Sequence, residues 1–310
     1  MVQTAVSPVT AALFSELQDL KRLHPAHLGH SIATSFFRSA WRGVIAQEPL
    51  DQLSLRLTTR ALLSVLLPGV DERFFRAAGL DATAVSEILH RALERTADGR
   101  VEPALLAALR GELPAITEDL LTVNIERDAV PQPIETLCLQ PRAGATHPEL
   151  PRLVLEPAEM HSDHCFMTAV YAVLLSEHYG ADRGTVFLAA LAHHLHNAYL
   201  PDCGYAGELC MGDHLATIIR NCRREAMDYF AAPVRDRVSQ ALRYHETIDT
   251  PEGKAVSAAD VLDRVLDVKW RTKAAAVTDA DILGELDLVH PGPLKDFQTD
   301  LLAKTEVWKA

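Results

Sequence analysis

Six residues in the C-terminal half of the chain have side chains that bind metal ions or transfer protons. They are His164, His193, His194, Glu208, Asp213 and Asp260. His193 and His194 are adjacent, inside an apolar stretch that begins at Val186. Imidazoles in such a stretch lose hydration energy unless a partner replaces the water. Because neutral imidazole is a good ligand for several transition metals, the pair predicts a metal site.

The composition restricts the classes of function. With 310 residues the chain can form one large domain or two ordinary ones. A net charge of −12 argues against a general nucleic-acid binder but leaves room for a small phosphorylated ligand. The five cysteines show no two-residue spacing, so we expect reduced thiols. The N-terminus does not resemble a signal peptide and no apolar stretch would cross a bilayer, so we expect a soluble cytoplasmic protein.

The elements that must position these residues are predicted to be helices, which makes the expected fold class all-α. No alternating strand pattern of useful length and no repeat is present. Six proline residues cluster between residues 131 and 157, so a continuous helix is impossible there. We therefore predict an N-terminal helical domain over residues 1–130, a packed connector over residues 131–157 and a C-terminal domain over residues 158–310.

Capping residues predict where the individual helices begin and end. The predicted helices of the N-terminal domain begin at Ser7-Pro8 and then span roughly Pro25 to Ile45, Asp51 to Leu67, Asp71 to Ala78, Asp81 to Thr96 and Glu102 to Leu113. Those of the C-terminal domain run from Asp163 to Tyr179, Arg183 to Asn197, Asp213 to Phe230, Pro233 to His245 and onward from Thr250, with two short helices near Asp279 and Leu294.

The order of these residues resembles the HD-domain superfamily of metal-dependent phosphohydrolases. In that family a His opens one helix, a His-Asp pair ends the next, and an Asp follows two or three helices later. His164, the His193-His194 pair and Asp260 stand in this order over roughly 110 residues. The 5′-deoxynucleotidase branch is a closer match. It has a Glu and a Gly-Asp after the pair, as in Glu208-Leu-Cys-Met-Gly-Asp213, and a stretch similar to Thr250-Pro-Glu-Gly-Lys254.

The sequence departs from the family at His194, which stands where the family has an Asp. The resemblance then implies a ligand set of His164, His193, His194 and Asp260. Three imidazoles and one carboxylate suit one divalent transition ion (Zn, Fe, Co, Ni or Mn) and suit Mg²⁺ poorly. Family members with two metals use additional histidines in this interval, where the chain has His196, His214 and His245. Loss of the bridging Asp argues for a single ion.

The resemblance also implies roles for the remaining residues. Glu208 and Asp213 would orient or deprotonate the attacking water and protonate the leaving group. The cations that could bind the phosphate are Lys254, Arg220, Arg223 and Arg224. The expected function is hydrolysis of a nucleotide or similar small phosphate ester, and a homodimer is expected from the family. Two alternatives stay open: a catalytically silent HD domain that binds a ligand or serves as a scaffold, and an HD-type oxygenase with two irons.

Overall fold

The computed structural model describes residues 8–122, 129–272, 289 and 292–305. Helices dominate these residues, so the chain is all-α as predicted. The predicted short helix near Asp279 lies outside the described residues. The α-helices are α1 (Pro8–Leu17), α2 (Ile32–Ile45), α3 (Leu50–Leu66), α4 (Glu72–Ala78), α5 (Ala82–Ala97), α6 (Pro103–Gly111), α7 (Leu113–Leu121), α8 (Gln132–Leu139), α9 (His161–Tyr179), α10 (Arg183–Ala192), α11 (Gly204–Met211), α12 (Leu215–Met227), α13 (Ala232–His245), α14 (Pro251–Thr272) and α15 (Lys295–Lys304).

Helix α9 lies at the centre of the fold. Almost all of its side chains are buried, including the polar ones of its first turn. A helix that is buried on every side must be surrounded by others. It packs along α10 and α14, and also against α2, α3 and α8. The first turn of α9 carries His164, so the packing that builds the core also fixes this imidazole.

The helices of the N-terminal half pack on the same core as α9. Phe14 stacks on Tyr171 with ring centroids 4.4 Å apart, and Phe36 contacts Phe166 at 5.5 Å. Helix α10 approaches α3 so closely that a Cβ atom at Gly184 would lie 2.8 Å from that of Leu50. The buried apolar residues therefore form one continuous cluster. The division into domains at residue 130 stays a prediction.

The proline-rich connector folds into short elements rather than one helix. It contains α8 and an antiparallel pair of strands, β1 (Ala145–His147) and β2 (Leu150–Leu153). Pro141 forms a further bridge with Met160, just before α9. The connector is therefore ordered beside the start of the helix that carries His164.

Several predicted helix boundaries are wrong. The helix predicted from Pro25 begins only after Ser31, whose hydroxyl accepts the Thr34 amide hydrogen. The helix predicted to reach Asn197 ends at Ala192, and a 3₁₀ turn follows over Leu195–Ala198. The helix predicted from Asp213 to Phe230 spans Leu215–Met227 and follows a 3₁₀ turn over Gly212–His214.

Among the described residues, no helix combines the length and the apolar character needed to span a bilayer.

Candidate metal centre

Three elements bring four of the predicted ligands together. His164 comes from the first turn of α9, His193 and His194 follow the end of α10, and Asp260 lies in the middle of α14. The Nε2 atom of His164 lies 3.1 Å from Nε2 of His193 and 3.2 Å from Oδ1 of Asp260. Oδ1 of Asp260 lies 3.9 Å from Nε2 of His193. One ligand atom of each of the three histidines lies within 4.8 Å of the others.

Hydrogen bonds to the Nδ1 atoms fix the orientation of all three imidazoles. Nδ1 of His164 lies 2.6 Å from a carboxylate oxygen of Asp263, and Nδ1 of His193 lies 2.5 Å from the carbonyl oxygen of Ala190. These oxygens only accept, so each Nδ1 carries a proton, and in the neutral ring Nε2 keeps its lone pair.

His194 has the same tautomer. Its Nδ1 lies 2.7 Å from Oδ1 of Asn197, whose amide nitrogen donates to the carbonyl of Leu200 at 3.0 Å. The amide oxygen of Asn197 therefore accepts from Nδ1–H of His194. Hydrogen bonds of this kind hold metal-binding histidines in place and make them better ligands.

The converging ring nitrogens favour a metal ion. The Nε2 atoms of His164 and His193 lie 3.1 Å apart, and that of His164 also lies 3.2 Å from the carboxylate of Asp260. Burial, followed by the charges of neighbouring histidines, holds the pKa of His193 well below its usual value. The same holds for His194, where Arg142 adds to the effect. Protonation of His193 and His194 is thereby disfavoured, so their Nε2 atoms could bind a metal ion, which would replace Arg142 as the partner of His194.

Asp260 is held ionised beside the histidines. Burial alone would raise its pKa, but the guanidinium of Arg264 and the His164 imidazole hold it well below the usual value. Arg264 donates to Oδ2 of Asp260 at 2.7 Å, which leaves Oδ1 facing His164. Asp260 therefore presents one charged oxygen to the site.

A cavity of about 320 Å³ opens above these ligands. Its wall includes His193, His194 and Asp260, and it also includes the carboxyl group of Glu208. A cavity of this size suits a small metabolite. Burial, followed by the charge of nearby Asp202, raises the pKa of Glu208. A carboxyl group with a raised pKa can hold a proton nearer to neutral pH and donate it.

Residues 139–281 match the HD domain family. The match supports placing this stretch, which we call the HD segment, in the HD superfamily. It contains every predicted site residue and begins within α8, in the connector. No curated protein and no solved structure matches the chain. HD domains are typically metal-dependent hydrolases, and the family indicates phosphohydrolase-type activity.

The donor set of the HD segment fits a single divalent transition ion. Two ligand atoms that each lie about 2.0–2.1 Å from one ion can be no more than about 4.2 Å apart, and the contacts of 3.1, 3.2 and 3.9 Å among His164, His193 and Asp260 are within that limit. Among the described residues, one further group has metal-ligand spacing: Glu159, His164 and Asp263. The ammonium group of Lys21 already lies between Glu159 and Asp263, at 2.5 and 2.7 Å. That group is therefore an ion-pair cluster.

The other predicted site residues lie outside the cavity wall. Asp213 is exposed, in the 3₁₀ turn that precedes α12, where it caps no helix. Arg220 is exposed on α12 and donates to the hydroxyl of Thr217. Lys254 lies in the first turn of α14, six residues and about 9 Å of helix rise from Asp260. The structure does not bring these three side chains to the metal ligands.

Two arginines that the sequence analysis did not select line the cavity. Arg264 follows Asp260 by one helical turn, a spacing that could have identified it. Arg142 lies in the connector, where Nη1 is 3.2 Å from Nε2 of His194 and Nε is 3.4 Å from a carboxylate oxygen of Glu159. No local pattern marks Arg142, because its neighbours in space are distant in sequence.

Of the additional histidines, the structure brings two to the cavity. His196 and His245 line it, and the ring of His245 lies 5.0 Å from that of His193. His214 is exposed. Burial lowers the pKa of His196 to about 4. A second group with ligand spacing around these two histidines is absent from the residues that the structure describes.

Proposed function

We propose that the HD segment hydrolyses a small phosphate ester, with a nucleotide or similar phosphometabolite as substrate, as in the nucleotidase branch. The observation that carries this proposal is the composition of one cavity. His193, His194 and Asp260 line it beside the buried His164, two guanidinium groups belong to its wall, and Glu208 lines it as well. A phosphate group needs cations, and its hydrolysis needs a proton donor.

His164, His193, His194 and Asp260 would hold the metal ion. When bound, the ion would polarise a phosphoryl oxygen and lower the pKa of a water molecule. The guanidinium groups of Arg142 and Arg264 would bind the remaining phosphate oxygens. These interactions orient the phosphorus atom toward the attacking water.

Glu208 is the proposed acid and base of the reaction. The water oxygen forms a bond to phosphorus as the ester P–O bond breaks. The leaving oxygen takes the proton of Glu208, and Glu208 regains a proton from the water, so the carboxyl group ends unchanged. The raised pKa of Glu208 supports this role because the group must start protonated. Asp213 remains a second predicted carboxylate, and the catalytic effect of Asp213→Asn tests its role.

Metal analysis together with phosphatase assays tests the proposal. We expect the purified protein to bind one equivalent of a transition ion and to release phosphate from nucleoside monophosphates. His193→Ala should abolish both, whereas His214→Ala should preserve both because His214 is exposed. Absence of metal from the wild-type protein after incubation with Zn²⁺, Co²⁺, Ni²⁺, Mn²⁺ and Fe²⁺ would refute the proposal and favour a silent ligand-binding module. Two irons per chain would favour an oxygenase.

A second experiment isolates the proton donor. Glu208→Gln should lower kcat about 10²- to 10⁴-fold while metal content is unchanged. Glu225→Gln is the matched control, since Glu225 is an exposed carboxylate on α12. Full activity of Glu208→Gln would remove Glu208 from the mechanism.

A further inference from the structure

A buried lysine from the N-terminal half lies directly behind the metal centre. Lys21 ends the 3₁₀ turn Gln18–Lys21 and is 3% exposed. Its ammonium group donates to Glu159 at 2.5 Å and to Oδ2 of Asp263 at 2.7 Å, and it lies 3.6 Å from a carboxylate oxygen of Asp267. A lysine this buried is rare unless it is paired, so the cluster is a built feature of the fold.

Asp263 connects this lysine to the predicted ligand His164. Its Oδ2 atom accepts both from Lys21 and from Nδ1–H of His164, which is 2.6 Å away. Its Oδ1 atom accepts from the amide nitrogen of Gln18 at 2.8 Å. Asp263 itself is fully buried. Two of these three donors therefore come from one short turn, more than 240 residues upstream of the carboxylate that they hold.

The position of the His164 ring depends on this carboxylate. A hydrogen bond to the outer nitrogen sets the orientation of a metal-binding imidazole and makes its inner nitrogen a better ligand. Lys21 also lies between two carboxylates, those of Glu159 and Asp263, which would otherwise repel each other. Without the ammonium group, Asp263 would lose a donor on the oxygen that His164 uses, and it would be pushed away from Glu159.

We propose that Lys21 is a positioning residue for the metal centre, which acts through Asp263 to fix His164. The inference rests on the proposed function, because it takes His164 to be a metal ligand. It assigns a role to the N-terminal half: the turn Gln18–Lys21 completes the outer shell of a centre whose ligands all lie in the HD segment. Metal affinity then depends on a residue outside the HD segment.

Co²⁺ binding to the full-length protein tests the proposal. Affinity would be measured by competition with a chelator, and ligand geometry by the visible absorption of bound Co²⁺. Lys21→Met should weaken Co²⁺ binding about 10- to 100-fold and change the spectrum, as loss of an outer-shell partner does. The matched control is Arg22→Met. Arg22 is the next residue and a half-buried cation, but it pairs with Asp267, stacks on Trp270 and donates to the backbone carbonyl of Gln18, with no contact to Asp263.

The control separates positioning from folding. Both substitutions remove an ion pair between the N-terminal half and α14, so both should lower the unfolding temperature. Only Lys21→Met should change Co²⁺ affinity and spectrum, whereas Arg22→Met should stay within about threefold of wild type. If Lys21→Met does not fold, Gln18→Leu takes its place. It removes the other donor to Asp263 without leaving a charge unpaired, and it should weaken binding several-fold.

The possible outcomes are distinct. If wild type binds Co²⁺ and Lys21→Met binds it as tightly as Arg22→Met does, the positioning role is refuted while the metal centre stands; where Lys21→Met does not fold, the same result with Gln18→Leu refutes it. If wild type binds no Co²⁺, the proposed function and this inference are refuted together.

Discussion

Replacement of Arg142 should tighten metal binding and weaken substrate binding at the same time. Arg142 donates to Nε2 of His194 at 3.2 Å. That nitrogen has one lone pair, because Nδ1 of His194 carries the proton that is donated to Asn197. A lone pair used by Arg142 is not available to a metal ion. Metal binding must therefore displace Arg142 from His194, and Arg142→Met removes the competing donor.

The expected change in metal affinity can be worked out from the contacts of Arg142. A hydrogen bond from a charged donor contributes about 1.5–3 kcal/mol. The Arg142 side chain is partly exposed and keeps a second partner in Glu159, 3.4 Å away, so the lower end applies. About 1.5 kcal/mol corresponds to roughly tenfold tighter metal binding in Arg142→Met. The lost phosphate contact should lower kcat/KM for a phosphomonoester by tenfold or more, since that contact is also charge-assisted.

Two measurements on the same variant check this prediction. Chelator competition gives the metal affinity, and steady-state kinetics with a nucleoside monophosphate gives kcat/KM. Arg152→Met is the matched control, because Arg152 is a nearby exposed arginine that donates to the carbonyl groups of Ala143 and Cys203. Weaker or unchanged metal affinity in Arg142→Met would refute the competition between Arg142 and the ion.

Three further results are expected. His194→Asp replaces an imidazole with a hard, charged ligand, so the ratio of Mn²⁺ to Zn²⁺ affinity should rise in competition assays. An unchanged ratio would mean that residue 194 is not a ligand. Burial lowers the pKa of His161 to about 4, so the folded protein favours the neutral ring. The folded state therefore loses stability as the pH drops from about 6.5 to 4 and the ring becomes protonated. Chemical denaturation should therefore show a smaller loss of stability between pH 6.5 and 4.5 in His161→Gln than in the wild-type protein. Phe14→Ala should cost about 3–5 kcal/mol of unfolding free energy, because Phe14 is fully buried against Tyr171.

Part of the fold could be predicted because its signals are local. Caps and prolines mark the ends of helices, so the end of α9 at Gly180, the start of α13 near Pro233 and the start of α14 near Pro251 agree with the sequence analysis. The end of α10 was missed because the pattern of apolar residues continues past Ala192. There the Nδ1 atom of His193 bonds to the carbonyl of Ala190, and that contact accompanies the change to a 3₁₀ turn.

The candidate site shows the same division between local and distant signals. His164, His193, His194 and Asp260 could be selected because the family pattern preserves their order in the chain. The side chains that surround them could not, because their partners are remote. Lys21 meets Asp263 only when the N-terminal turn packs against α14. Periodicity within a segment carries no information about such a contact.

The net charge of the proposed metal centre depends on residue 194, where this chain has a histidine and the family has an aspartate. A divalent ion held by three neutral imidazoles and Asp260 has a net charge of one positive unit, whereas a second carboxylate would cancel it. Arg142 and Arg264 add two positive charges to the cavity wall, and Glu159, Asp202 and Asp267 supply negative ones. The ion and the two guanidinium groups would attract a phosphate dianion. His194 thus favours tighter ground-state binding of phosphate than an aspartate would. Inorganic phosphate should therefore inhibit the wild-type protein more strongly than it inhibits His194→Asp. Equal inhibition of the two proteins would refute this account.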